Sequence, residues 1–139
     1  MRKNDSVTHV MSKDVVKLDL NDPISTARKL FESSEIHHLP VVRGDEVVGI
    51  LTWTDFLRIS FGEFGNQDVR SLDAVLDHTY QLKDVMKPDP VTMPVSGTVR
   101  DAAQLLSTSG FHSLPVVDGN KLAGIVTSTD LIKYLVDQY

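Results

Sequence analysis

A chain of 139 residues with 41% apolar and 24% charged residues has the balance of a globule that folds in water, too apolar for disorder and without the roughly 18-residue apolar run of a membrane span. Its formal charge of −5 argues against a broad phosphate-binding face, and so against nucleic acid as a main partner. The absence of cysteine excludes disulfides and thiolate metal sites, and the polar stretch Met1 to Ser6 is unlike a secretory signal. A cytoplasmic protein without membrane association is expected.

Along the chain, Val15-Val16-Lys17-Leu18 reads as a short extended run. Asn21-Asp22-Pro23 then places a polar cap ahead of a proline at the first helical position, and Ile24, Ala27, Leu30 and Phe31 recur at helical spacing. Two β-rich runs follow, His38-Leu39-Pro40-Val41-Val42 and Val47-Val48-Gly49-Ile50-Leu51, separated by the hairpin-like turn Arg43-Gly44-Asp45-Glu46. A second helix is expected after Thr54. Gly62, Gly65 and Asn66 mark a loop, and Val69, Leu72, Val75 and Leu76 a bridging helix. Val91-Thr92-Met93 is again extended, and Val99, Ala102, Leu105 and Leu106 are again spaced as a helix.

The recurrence is an internal repeat. A constant shift of 75 positions lays Leu39-Pro40-Val41-Val42 on Leu114-Pro115-Val116-Val117, and Gly49-Ile50-Leu51-Thr52-Trp53-Thr54-Asp55 on Gly124-Ile125-Val126-Thr127-Ser128-Thr129-Asp130. From Val10/Val85 to Leu57/Ile132, 18 of the 48 pairs are identical, against roughly three expected from composition. The fold class is therefore α/β (α+β), two tandem β-α-β-β-α repeats. The boundaries are 7–60 for the first, 61–79 for a linker with the bridging helix, and 80–139 for the second. Neither copy alone has enough apolar surface for a stable domain, so the two are expected to bury their open faces together.

The most specific feature is Gly-hydrophobic-hydrophobic-Thr-x-Thr-Asp, present twice where a buried strand runs into a helix. The first helical turn offers unpaired backbone N–H groups and the positive end of the dipole, which suit an anion such as phosphate. Thr52, Thr54, Thr127 and Thr129 add hydroxyl donors. Asp55 and Asp130 repel phosphate but accept hydrogen bonds from two adjacent hydroxyls, as a ribose offers. A second reading stands beside this one, because Thr-x-x-Asp ahead of an apolar run is also the signature of a capping box.

These tandem units, with Leu-Pro-Val-Val before a short turn and Thr-x-Thr-Asp entering the last helix, resemble a CBS-domain pair over nearly the whole chain. The resemblance implies a pseudo-twofold pair with two clefts that bind AMP, ADP, ATP or S-adenosylmethionine. It also implies homodimers that regulate a partner protein without doing chemistry. Each cleft would take its junction from one copy and its adenine wall from the other. One would join Asp22, Ala27, Ile36 and His37 to Ile125, Thr127, Thr129 and Asp130. The other would join Gly97, Ala102, Phe111 and His112 to Ile50, Thr52, Thr54 and Asp55. The copies differ at Asp22 against Gly97 and at Ile36 against Phe111, so the two clefts need not have equal affinity, and Asp22 disfavours a polyphosphate. The resemblance implies an adenosine nucleotide as the ligand and no cofactor.

His37 and His112 read either as rings for an adenine to pack against or as half-exposed turn histidines. Glu35, His37 and His38 are metal-ligand types, but neighbours on one irregular stretch seldom converge, and no metal is expected. Pro40 and Pro115 mark strand edges or first residues. Trp53, at the variable position of the motif, is expected to pack outward against a neighbour or linker, or to mark a dimer surface. None of the common catalytic motifs is present, and no base or metal stands beside the junction threonines, so the chain is read as no enzyme. The alternative to a sensor is a structural or protein-interaction dimerisation module without a small-molecule ligand.

Overall fold

Apolar residues at strand and helix spacing resolve, in a computed structural model describing residues 5–60 and 68–139, into a mixed α/β fold. A 3-10 turn (Val7–His9) is followed by β1 (Leu18–Asp19), α1 (Ile24–Ser33), β2 (His38–Arg43), β3 (Glu46–Thr52) and α2 (Trp53–Ser60). Then come α3 (Val69–Thr79), α4 (Leu82–Val85), β4 (Lys87–Pro88), β5 (Met93–Pro94), α5 (Val99–Ser109), β6 (Ser113–Asp118), β7 (Lys121–Thr127) and α6 (Ser128–Asp137). The β-α-β-β-α order appears twice. The expected bridging helix is α3, which buries Leu76 and packs Leu72 against a core. The loop read at Gly62, Gly65 and Asn66 lies outside the described residues.

The chain divides into two compact units. The first is drawn from Val16–Gly44 and Val48–Asp89, the second from residues 5–15, Asp45–Val47 and Pro90–Tyr139. This division differs from boundaries drawn on the repeat, and the cores show why. Val7 is fully buried with Met93, Ala102, Leu114, Val116 and Val126 in the second unit. Leu82, its equivalent under the shift of 75, is fully buried with Leu18, Ile24, Leu39 and Leu51 in the first. The segment that precedes each copy in sequence thus completes the core of the other copy. Full burial of one such side chain is worth about 1.5–3 kcal/mol, which holds each segment in place.

The two units repeat one strand arrangement. In the first, β1 runs parallel to β2 with Leu18 opposite Val41, β2 neighbours β3, and β4 runs antiparallel to β3 with Lys87 opposite Ile50. In the second, β5 runs parallel to β6 with Met93 opposite Val116, and β6 runs antiparallel to β7. Ser12 bridges Ile125 there, at the place Lys87 takes beside Ile50. Pro40 and Pro115 lie inside β2 and β6, but β1 and β5 begin their pairing only at Val41 and Val116. The missing N–H therefore precedes the parallel-paired stretch. Gly119 opens the β6–β7 turn at φ +63°, a left-handed conformation that glycine adopts at no steric cost.

Two local expectations change. Pro23 is the N-cap of α1 rather than its first residue, and no side chain of its own neighbourhood caps the helix. Asp22 turns back instead, its Oδ2 accepting from the Asp19 N–H at 2.8 Å. Trp53 does not point outward: it is half-buried, edge-on to Phe31 at 5.4 Å and stacked on Phe56 at 5.7 Å. Such aromatic pairs add about 0.5–1.5 kcal/mol beyond their burial, so the residue at the variable position of the motif serves the core of the first unit.

Gly49 and Gly124 open the two motifs because a methionine sits where a Cβ would go. Met86 fills that place at Gly49, and at Gly124 a Cβ would lie 2.7 Å from Met11 Sδ and 2.8 Å from the Ser12 carbonyl oxygen. The second contact is backbone and cannot swing away. Gly124→Ala is expected to destabilise the protein by about 1–3 kcal/mol through overpacking, read as a lower urea midpoint with an unchanged slope.

Candidate functional site

Each motif ends where a buried strand becomes a helix. In the second unit, Ile125 and Val126 are buried in β7 and Thr127 is the N-cap of α6. The Asp130 N–H donates to Thr127 Oγ1 at 3.1 Å, and the Thr127 N–H donates to Asp130 Oδ2 at 2.8 Å. In the first unit, the Asp55 N–H donates to Thr52 Oγ1 at 3.1 Å. Both the Thr52 N–H and the Thr52 hydroxyl donate to Asp55 Oδ2, at 3.2 and 2.9 Å. Both copies therefore build a capping box. The structural role read from Thr-x-x-Asp is real in each.

That role leaves groups over. Thr54 and Thr129 are exposed, and their hydroxyls make no hydrogen bond among the described residues. Oδ1 of Asp130 is not used by its capping box, whereas Oδ1 of Asp55 has the Arg58 guanidinium 3.5 Å away. Asp55 is only 3% exposed, while Asp130 is half-buried, so the junction of the second unit is the more accessible. Chemically, each junction presents a threonine hydroxyl, a carboxylate and a helix N-terminus, the combination that suits a phosphate beside a diol.

The remaining expected residues separate by burial. His37, Phe111 and His112 are exposed and Ile36 and Asp22 half-buried. Ala27 and Ala102 have no exposed surface and belong to the two cores. Gly97 is buried, its carbonyl accepting from the Val7 N–H at 3.0 Å. Within each unit the turn before Leu-Pro-Val-Val is tied to its own junction. The Trp53 N–H donates to the His37 carbonyl at 2.8 Å, and the Ser128 N–H to the His112 carbonyl at 2.9 Å. The two histidines are thus fixed by their backbone at the start of α2 and α6, with their rings exposed.

The sequence reading missed a polar cluster on α1. Asp77, on α3, accepts from the Ser25 N–H at 2.8 Å and from the Ser25 hydroxyl at 2.6 Å. Asp73 pairs with both Nε and Nη2 of the buried Arg28. The signal was available as a departure between the copies: α5 caps itself through Thr98 and Asp101, whereas the shift of 75 puts Pro23 and Thr26 at those places in α1.

Comparison with known proteins gives the family. The profile of the CBS domain matches residues 7–62 and 82–137, most of the chain in two blocks. This chain belongs to the CBS-domain family. Among relatives of this CBS-domain protein, the uncharacterized protein MJ1404 of Methanocaldococcus jannaschii is 31% identical over 144 residues. The match covers 97% of this chain and 33% of that one, so the chain spans about a third of that relative's length. The crystal structure of CBSX2 in complex with AMP superposes with a TM-score of 0.79 at 25% identity, covering 96% of this chain and 98% of that one. The CBS domain pair of protein MJ0100, in complex with 5-methylthioadenosine and S-adenosyl-L-methionine, superposes with a TM-score of 0.74 at 25% identity. There the coverage is 94% of this chain and 98% of that one.

Among the described residues no group of three His, Asp or Glu side chains is placed to hold a metal ion, and no helix is long and apolar enough to cross a membrane. Removing the cap by Asp130→Ala is expected to cost about 1 kcal/mol of stability. Thr129→Val, which touches an exposed residue outside the box, should change stability by less than about 0.5 kcal/mol. Chemical denaturation of the ligand-free protein measures both.

Proposed function

We propose that this CBS-domain protein is a non-catalytic sensor. In this reading it binds an adenosine nucleotide, AMP, ADP or ATP, or S-adenosylmethionine, at its Thr-x-Thr-Asp junctions, and acts as a homodimer on a partner protein. The observation that carries this reading is the set of groups the capping boxes leave unused at the start of α6: the exposed Thr129 hydroxyl and Oδ1 of Asp130. Complexes of CBSX2 with AMP and of MJ0100 with S-adenosyl-L-methionine support an adenosine ligand.

The division of labour follows from charge. Phosphate takes Thr54 or Thr129 and the first-turn N–H groups, and the ribose hydroxyls donate to Asp55 or Asp130. Ile36, His37, Phe111 and His112, exposed or half-buried, offer apolar surface and ring faces to adenine. Ile50, Ile125, Ala27, Ala102 and Gly97, all buried, hold the backbone behind them. The Asp130 junction, whose carboxylate is half-open, fills before the Asp55 junction, whose carboxylate is nearly enclosed. A carboxylate at Asp22, half-buried and already accepting from Asp19, disfavours a long polyphosphate at its side.

A second reading is favoured by two specific observations. The Thr/Asp pairs are engaged in capping, and Ile132, Leu135 and Val136 lie exposed along α6 at 62%, 40% and 66%. In that reading the chain is a dimerisation module and the junctions only start helices.

Thermal unfolding with millimolar AMP, ADP, ATP or S-adenosylmethionine, and with GTP as control, separates the two. A ligand at 100 times its dissociation constant adds about 2.7 kcal/mol, which at this size raises the midpoint by several degrees. An adenosine-specific rise that Thr129→Val reduces is the expected result. No rise with any of them, in protein freed of carried-over ligand, leaves the dimerisation reading.

A further inference from the structure

In the first unit, α1 begins without a cap of its own. A helix start leaves N–H groups unpaired, and the usual remedy is a side-chain oxygen at the N-cap accepting from the second or third helical N–H. Pro23 has no such oxygen, and residue 26, where α5 has the reciprocal aspartate, is threonine. The remedy comes from 52 positions away. Asp77 Oδ1 accepts from the N–H of Ser25, the second residue of α1, and Oδ2 accepts from the Ser25 hydroxyl.

Asp77 is badly placed for its own helix. It stands in the last turn of α3 (Val69–Thr79), where the negative end of the dipole disfavours a carboxylate. Its location makes sense only through α1, whose positive end it faces. A second contact one turn along reinforces it. Arg28, 7% exposed on α1, gives Nη2 to Asp73 Oδ2 at 2.8 Å and Nη1 to Glu32 at 2.6 Å. The hydrogen bond to Asp73 holds the guanidinium above its ordinary pKa, and an arginine is in any case charged at every physiological pH. Between the two aspartates, Leu76 is fully buried. One face of α3 therefore carries Asp73, Leu76 and Asp77 together onto α1.

We propose that α3 is the missing N-terminal cap of α1, delivered by a separate helix, and that Asp77 and Asp73 are positioning residues for the turn from Asp22 to Ala27. Docking of α3 orders the start of α1, and undocking frees it. The second repeat has no such dependence, because the Thr98–Asp101 box caps α5 locally. The effect on ligand rests on the nucleotide reading above; the capping role does not.

The test compares the wild type, Asp77→Ala, and Asp77→Ala carrying Pro23→Thr with Thr26→Asp, which transplants the Thr98–Asp101 box into α1. Amide exchange is followed in the ligand-free protein, and AMP affinity is measured by titration. Asp77→Ala should speed exchange at Ser25, Thr26 and Ala27 by about fivefold, the scale of one lost cap, with the first turn of α5 unchanged. The transplanted box should restore protection, and AMP affinity should fall and recover in step. Unchanged α1 exchange in Asp77→Ala, or protection that the box does not restore, overturns the capping role. A loosened α1 with unaltered AMP affinity overturns the positioning role. If even the wild type binds no AMP while exchange behaves as described, the nucleotide reading fails and the cap stands. Should Asp77→Ala not fold, Asp77→Leu, which keeps a similar volume and has no acceptor oxygen, takes its place with the same readouts.

Discussion

The close seat of a methionine on a glycine, Met86 on Gly49 and Met11 on Gly124, governs how this chain can be assembled. It brings the segment around each methionine against the strand that leads into a Thr-x-Thr-Asp junction. The contact needs a residue without Cβ on the strand, and a flexible thioether fills the space well. Lys87 beside Ile50 and Ser12 beside Ile125 extend the same contact as backbone pairing, and Leu82 and Val7 anchor it in the cores. The two copies of the repeat are therefore not independent lengths of chain. Residues 5–15 fold with the second unit, and the segment around Met86 folds with the first.

The junction that follows each glycine starts a helix, and in the proposed function the same stretch also holds the ligand. Thr52 with Asp55, and Thr127 with Asp130, complete capping boxes that start α2 and α6. A box uses one carboxylate oxygen and one hydroxyl, and it leaves the hydroxyl of the neighbouring threonine without a hydrogen bond among the described residues. A helix start built this way is rigid before any ligand arrives, so little ordering entropy is lost when one binds. Structural and ligand-binding roles for the motif are thus compatible. Duplication preserved the cap in both copies, while burial separated them: Asp55 is nearly enclosed and Asp130 half-open.

Divergence after duplication concentrates around the first helix of each repeat. The second copy keeps a self-sufficient start, with Thr98 and Asp101 exchanging hydrogen bonds. The first has Pro23 and Thr26 in their place and takes its cap from Asp77. The same region holds two further differences, Asp22 against Gly97 and Ile36 against Phe111. Gly97 is enclosed by the 5–12 segment through its bond to Val7, whereas Asp22 is partly open and bonded to Asp19. Two copies of one unit have thereby acquired different surroundings without any change in strand order.

The sequence by itself determined the repeat, the β-α-β-β-α order, the hairpin at Gly44 and the identity of the junction residues. Each of these is set by neighbours a few positions apart: spacing of apolar residues, turn chemistry, and a threonine three residues before an aspartate. It also carried the family resemblance, because the most constrained motif is contiguous. Only the tertiary structure decided which segment completes which core, why Trp53 turns onto Phe31 and Phe56, and that α1 is capped from α3. Those outcomes join side chains distant along the chain, such as Ser25 with Asp77 and Val7 with Val116. Periodicity reports which face of an element is buried, but not which partner buries it, because apolar surface carries no address.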